Sequence, residues 1–82
     1  MITLQQAKEL RPGQMLHHSH LRNADGTPLR LWVNGVPKVW VRNPDRVRVP
    51  FKYGLRTHGY ITNGTFEGGH ITVDILDVDG PV

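Results

Sequence analysis

Residues 28–55 read PLRLWVNGVPKVWVRNPDRVRVPFKYGL, and the fold is decided by how this stretch is parsed. Two runs rich in β-branched and aromatic residues flank Asn34-Gly35. Both residues tolerate positive φ, so the pair is a strong local signal for a β-hairpin. A second turn follows at Asn43-Pro44-Asp45-Arg46, where the proline ring presets φ for the second position of a type I turn. From Val47 to Tyr53 the chain alternates: Val47, Val49, Phe51 and Tyr53 fall on one face and Arg48, Pro50 and Lys52 on the other, as in a half-buried strand.

Parity sets the expected register of the hairpin. Leu29, Leu31, Val33, Val39 and Val41 are odd-numbered; Arg30, Trp32, Lys38, Trp40 and Arg42 are even-numbered. A two-residue loop pairs odd with even positions and sets Lys38 opposite Leu31. A three-residue loop with Gly35 left-handed pairs odd with odd, leaving one aliphatic face and one basic–aromatic face. Register follows the buried face, so the second arrangement is the expected one. With Val47–Tyr53 it makes a three-stranded meander.

Outward from this centre the elements are short. Thr3 is placed as the N-cap of a helix reaching Leu10, with Gln6 completing a capping box; Arg11-Pro12-Gly13 ends it. Gln14–His20 reads as the first strand, with Leu16, His18 and His20 on one face, and Asn23–Gly26 as a turn. The segment 54–59 reads as a connection containing a 3₁₀ turn, and Tyr60–Thr62 as a strand stopped by Asn63-Gly64. A further turn is expected at 67–69. His70–Val78 reads as the last strand, with Ile71, Val73 and Ile75 on one face; Ile75-Leu76 breaks the alternation, as a bulge or a strand end buried on both sides would. The final residues 79–82 are expected to fray. One helix and five or six short strands in 82 residues predict a single mainly β domain over residues 1–82, a small SH3-like barrel, with an OB-like barrel as the alternative.

Composition narrows the setting. The chain has no cysteine, so disulfides and thiolate chemistry are excluded. No apolar run approaches the ~20 residues of a membrane span, and the first residues lack a signal-peptide pattern; a cytoplasmic location is expected. The net charge of +3 is unevenly spread. Residues 30–56 carry seven basic residues against Asp45 alone, a net of +6, while residues 57–82 carry four acidic residues and no Lys or Arg.

Taken together, Leu10-Arg-Pro-Gly-Gln14, Asn23-Ala-Asp-Gly-Thr-Pro28, Val33-Asn-Gly35, Trp40-Val-Arg-Asn-Pro44, Arg46-Val-Arg-Val-Pro50, Lys52-Tyr-Gly-Leu55 and Gly59-Tyr-Ile-Thr62 resemble a group of short uncharacterised proteins of tailed phages and prophages. The pattern covers nearly the whole chain and consists of turns and anchors. What the resemblance implies is a setting, the cytoplasm of a bacterial host, with no assigned activity and no site residues. Val36, Pro37, Val39 and Val41 stand in the hairpin where that group suggests more Lys and Thr.

The candidate site is the basic–aromatic face: Arg30, Trp32, Lys38, Arg42, Arg48, Lys52 and Arg56. Cations neutralise phosphates and indoles stack on unpaired bases, so DNA or RNA is the expected partner. Trp and Arg are also the anchors of protein interfaces, and a host or phage protein is the alternative. Trp40, next to the tight Asn43-Pro44 turn, is expected to be core and Trp32 exposed. His17, His18 and His20 lie close enough for a metal to be considered, with His58 or His70 as a third ligand. The spacing is weak for zinc, and a solvated histidine strand is the plainer reading, so neither metal nor cofactor is expected. Asp74, Asp77 and Asp79 lack the remaining ligands of a calcium loop. Ser19, the one serine, has no nucleophile-elbow context, and no phosphate-binding glycine motif is present. The sequence therefore points to a non-enzymatic binding module, and leaves open its oligomeric state and whether the acidic end covers the basic strands.

Overall fold

The computed structural model describes residues 1–64 and 70–81. The protein is mainly β: the described residues form one short helix, α1 (Leu4–Lys8), and six strands, β1 (Met15–Arg22), β2 (Pro28–Val33), β3 (Lys38–Val39), β4 (Val47–Tyr53), β5 (Thr57–Thr62) and β6 (Ile71–Asp74), followed by a 3₁₀ turn at Ile75–Asp77. The strands form one curled half-barrel sheet in the order β1-β2-β4-β5-β6, with β3 also on β4. This is compatible with a small SH3- or OB-like barrel. The turn expected at 67–69 lies outside the described residues.

Asn34-Gly35 does not reverse the chain. β2 pairs with β4 (Trp32 with Lys52, Val33 with Phe51), and β3 pairs with the same strand further along (Lys38 with Arg48, Val39 with Val47). The segment 28–39 is thus one interrupted strand running against β4, and four residues, 34–37, stand opposite Val49 and Pro50. Pro50 explains the interruption. Its carbonyl accepts from the Asn34 N–H at 2.8 Å, so its nitrogen faces the same neighbour and has no proton to donate. Gly35 rests on the Pro50 ring, where a Cβ would come within 3.0 Å of Cγ. Gly35 is not among the positive-φ glycines, and among the described residues no other residue type has positive φ, so neither hairpin turn form is adopted. The reversal comes later, at the Asn43–Arg46 turn expected from sequence, closed by Arg46 N–H to Asn43 O at 3.0 Å.

The predicted alternation of β4 holds at Val47, Val49 and Phe51, all buried; Tyr53 is exposed. These three join Leu16, Leu31, Val33 and Ile61 in the core, and Ile2, Ala7 and Leu10 cover it from the helical end. Each buried aliphatic or Phe side chain contributes about 1.5–3 kcal/mol. Val39 and Val41, expected inside, are exposed: Val39 ends the two-residue β3 at the margin of the sheet, and Val41 lies in the segment 40–46 that leaves it for the turn. Trp40, expected as core, is only half-buried for the same reason. The helix starts as read, with the Thr3–Gln6 capping box formed in both directions, but ends at Lys8.

The second half departs more. Residues 54–56 are a tight hairpin turn, with Gly54 at φ +65°, so β5 begins at Thr57 and pairs with β4 over its full length. The parallel pairing of β6 with β5 was not anticipated. The break at Ile75-Leu76 is the 3₁₀ turn, capped by the Asp74 carboxylate accepting from the Leu76 N–H at 2.9 Å. Beyond it the chain returns to β1. Val78 bridges His18, and the Asp79 N–H donates to the His17 carbonyl at 2.8 Å. Asp79 is therefore tied down. Its carboxylate accepts from the N-terminal ammonium and from the Ser19 hydroxyl, which hold it below the ordinary aspartate range.

His18 is the buried histidine of this seam. Its Nδ1 accepts two backbone N–H groups, from His20 at 3.0 Å and Leu21 at 2.9 Å, where the β1–β2 register slips. Phenylalanine fills similar space but supplies no acceptor. His18→Phe is expected to cost about 1–3 kcal/mol, the desolvation penalty of buried donors left unmade. An unchanged urea midpoint would show that the two amides find other partners.

Candidate nucleic-acid interface

The even positions of β2, β4 and β5 share the outer face of the sheet. Their order across the strands follows from the pairing: His17 beside Arg30, Trp32 beside Lys52, Lys52 beside His58, Pro50 beside Tyr60, and Lys38 beside Arg48. The seven residues expected to form the site divide into two groups. Arg30, Trp32, Lys52 and Arg56 gather near the β4–β5 turn. Lys38, Arg42 and Arg48 lie toward the β3–β4 turn, with Arg42 exposed in the loop after Trp40. Arg48 and Lys52 are four residues apart on one strand, about 13 Å at the usual rise per residue.

The two ends differ in character. At the β3–β4 end Arg46 and Arg48 each place the guanidinium carbon 5.7 Å from the centre of the Trp40 ring, and Arg48 also lies 4.6 Å from the centre of the Tyr60 ring. Tyr60 in turn meets His70 edge-on at 5.2 Å. Cation–π contacts of this kind are worth roughly 0.5–2 kcal/mol depending on desolvation. The aromatic faces here are taken up in holding arginines, which makes this end a built scaffold.

The opposite end is open. A concavity of about 640 Å³ is lined by Pro12, Gly13, Trp32, Asn34, Lys52 and Leu55, among others. Among the described residues no ring or guanidinium stacks on Trp32, which is 38% exposed. A second hollow of about 270 Å³, lined by residues including Asn34, Pro50, His58, Tyr60 and His70, continues it across the sheet. None of Asn34, His58, Tyr60 and Pro12-Gly13 is assigned to this site by the sequence alone, where His58 enters only as a third ligand for a metal and Pro12-Gly13 only as the end of the helix. His58 and Tyr60 share the outward parity, but only once β5 is extended back to Thr57. Asn34 had been assigned to a hairpin turn.

The acidic end engages other groups. Asp74 caps the 3₁₀ turn, Asp77 lies 3.5 Å from His20, and Asp79 meets the N-terminus and Ser19. The three histidines of β1 have different partners: His17 stands beside Arg30, His18 is held on the backbone amides of His20 and Leu21, and His20, whose ring meets that of His18 edge-on at 6.0 Å, faces Asp77. Among the described residues no group of three or more His, Cys, Asp or Glu could hold a metal ion, and no helix is long and apolar enough to cross a membrane.

Comparison with protein-family models, curated proteins and solved structures finds no match to this chain.

Proposed function

We propose that this chain is a small non-enzymatic binding module that grips nucleic acid on the outer face of its sheet. The observation that carries the reading is the open indole of Trp32, set in a groove beside Lys52, with Arg30 two residues before it on the same strand and Arg56 in the β4–β5 turn. That combination joins a stacking platform to phosphate-neutralising cations, the pairing by which sheet-faced barrels hold single strands. The resemblance to phage and prophage proteins sets the module in the cytoplasm of a bacterial host. The role assigned to the groove's residues is binding: Trp32 stacks, Lys52 neutralises and Asn34 offers hydrogen bonds.

The test is fluorescence anisotropy with labelled single-stranded DNA, RNA and duplex DNA at several salt concentrations. Micromolar binding is expected, with log K falling against log salt at a slope of about −2 to −3, the value for three to four phosphate contacts on a single strand. Trp32→Ala is expected to weaken binding about tenfold, the loss of one stacked base, and to leave the slope unchanged. Absence of binding at low salt overturns the reading. In that case Trp32 and its arginines become candidate anchors for a protein partner.

A further inference from the structure

We infer that the groove over Trp32 takes one unpaired adenine base of a single strand, with Asn34 reading its edge and Lys52 meeting a flanking phosphate. This rests on the nucleic-acid reading above and adds to it a strand state and a base.

The strand state follows from the shape of the groove. Trp32 lies on the sheet between two projecting turns, Pro12-Gly13 on one side and Gly54-Leu55 on the other. The first of these is tied to the sheet by the Gly13 N–H to the Val33 carbonyl at 2.9 Å. Gly13 and Gly54 both have positive φ, +93° and +65°, and neither has a heavy atom within 4 Å of the place a Cβ would occupy. The walls are therefore two glycine turns flanked by the Pro12 ring and the exposed Leu55 side chain, with open space above both glycines. A base inside a duplex is covered on both faces by its neighbours. Only a base splayed out of the stack can enter between these turns and lay its face on the indole.

The base follows from Asn34. It is exposed, lies two residues beyond Trp32 and lines both hollows. The interrupted strand puts it there: its backbone N–H is fixed on the Pro50 carbonyl at 2.8 Å, while its side chain has one contact among the described residues, Nδ2 to His58 Nδ1 at 3.5 Å. That distance is at the outer limit of a hydrogen bond and leaves the carboxamide available to a ligand. A carboxamide offers one acceptor beside one donor, which matches the N6 amino group and N7 of adenine. Guanine presents two acceptors, O6 and N7, along the same edge. Lys52, paired with Trp32 across the β2–β4 ladder, brings an ammonium group beside the stacked base. This also gives the Asn34–Pro37 interruption a use, since a regular hairpin turn at Asn34-Gly35 would carry the amide away from the sheet.

The probes are nine-nucleotide oligothymidylates carrying a single central A, G, C or T, together with a duplex of the A-containing strand. The wild-type protein is expected to bind the A-containing strand about tenfold more tightly than the G-containing one, and the duplex more weakly than either. Asn34→Ala is expected to bring the four strands within about twofold of one another while keeping the salt slope. Asn34→Asp, which replaces the amide donor by an acceptor, is expected to weaken A-strand binding further. Circular dichroism of both variants checks that the sheet is intact. Equal binding of all four strands by the wild type, with a steep salt slope, overturns the adenine assignment and leaves the nucleic-acid reading standing. Failure of every strand to bind overturns both.

Discussion

Replacing Gly59 by alanine is expected to destabilise the protein by about 3 kcal/mol, at the upper end of the cost of overpacking a core, and to lower its melting temperature by roughly 10–20 °C for a domain of this size. Gly59 is buried in β5 between two strands. It pairs with Phe51 of β4 on one side and with Ile71 of β6 on the other. A Cβ built there lies 2.5 Å from the Ile71 carbonyl oxygen and 2.9 Å from the Phe51 Cε1 and Cζ atoms. The carbonyl belongs to backbone fixed by the parallel ladder, and the ring belongs to the core, so neither yields cheaply. The φ of Gly59 is not in the left-handed region; the demand is for space alone. Gly35→Ala is the milder comparison, since the nearest atoms to its Cβ belong to the Pro50 ring, with Cγ at 3.0 Å, and a smaller loss is expected there. Thermal unfolding followed by circular dichroism decides the matter. A Gly59→Ala protein melting with the wild type would mean that β6 does not lie against β5 as described.

That contrast also marks where the sequence was legible. Val47–Phe51 showed itself as a strand because its neighbours on one face are all buried, so alternation survives in the text. The Thr3–Gln6 cap and the Asn43–Arg46 turn were readable because their chemistry is complete within four residues. The Asn34-Gly35 pair misled because tolerance of positive φ is a permission, not a requirement. What the site needs is a glycine small enough for Pro50 and a chain that runs on past it. Pro50, sixteen residues after Asn34, decides that, and no local pattern carries the information. Gly59 was placed in a loop for a related reason: its partner is a parallel strand whose register is set by distant contacts.

The candidate site shows the same division. Arg30, Trp32 and Lys52 were visible as an outward face by parity. Parity alone did not say that Trp32 is the open indole while Trp40 is held by Arg46 and Arg48. It also did not place Asn34 between the two hollows. The first depends on where β3 ends, since Trp40 leaves the sheet with the segment that forms the Asn43–Arg46 turn, and the second on the interruption of the strand, which keeps Asn34 on the sheet.

Two aspartate substitutions in the last segment separate the observed structure from the strand that alternation suggests. In a continuous strand from His70 to Val78, Leu76 and Val78 would share a face, and Leu76→Asp and Val78→Asp would behave alike. The 3₁₀ turn instead sends Ile75 and Val78 inward and Leu76 outward: Val78 is 0% exposed and Leu76 58%. Val78→Asp places a carboxylate between β1 and the core, beside His18, whose Nδ1 is already taken by two backbone amides. The cost of such a buried charge is several kcal/mol, set against a total stability of roughly 5–15 kcal/mol for domains of this kind. The expected result is loss of the cooperative unfolding transition at 25 °C, because Val78 and Asp79 join the end of the chain to His18 and His17. Leu76→Asp is expected to change stability by no more than about 0.5 kcal/mol, as for an ordinary surface position. Urea titrations of the two variants read the difference directly. Equal losses would restore the continuous strand, and with it a chain end that does not close on β1.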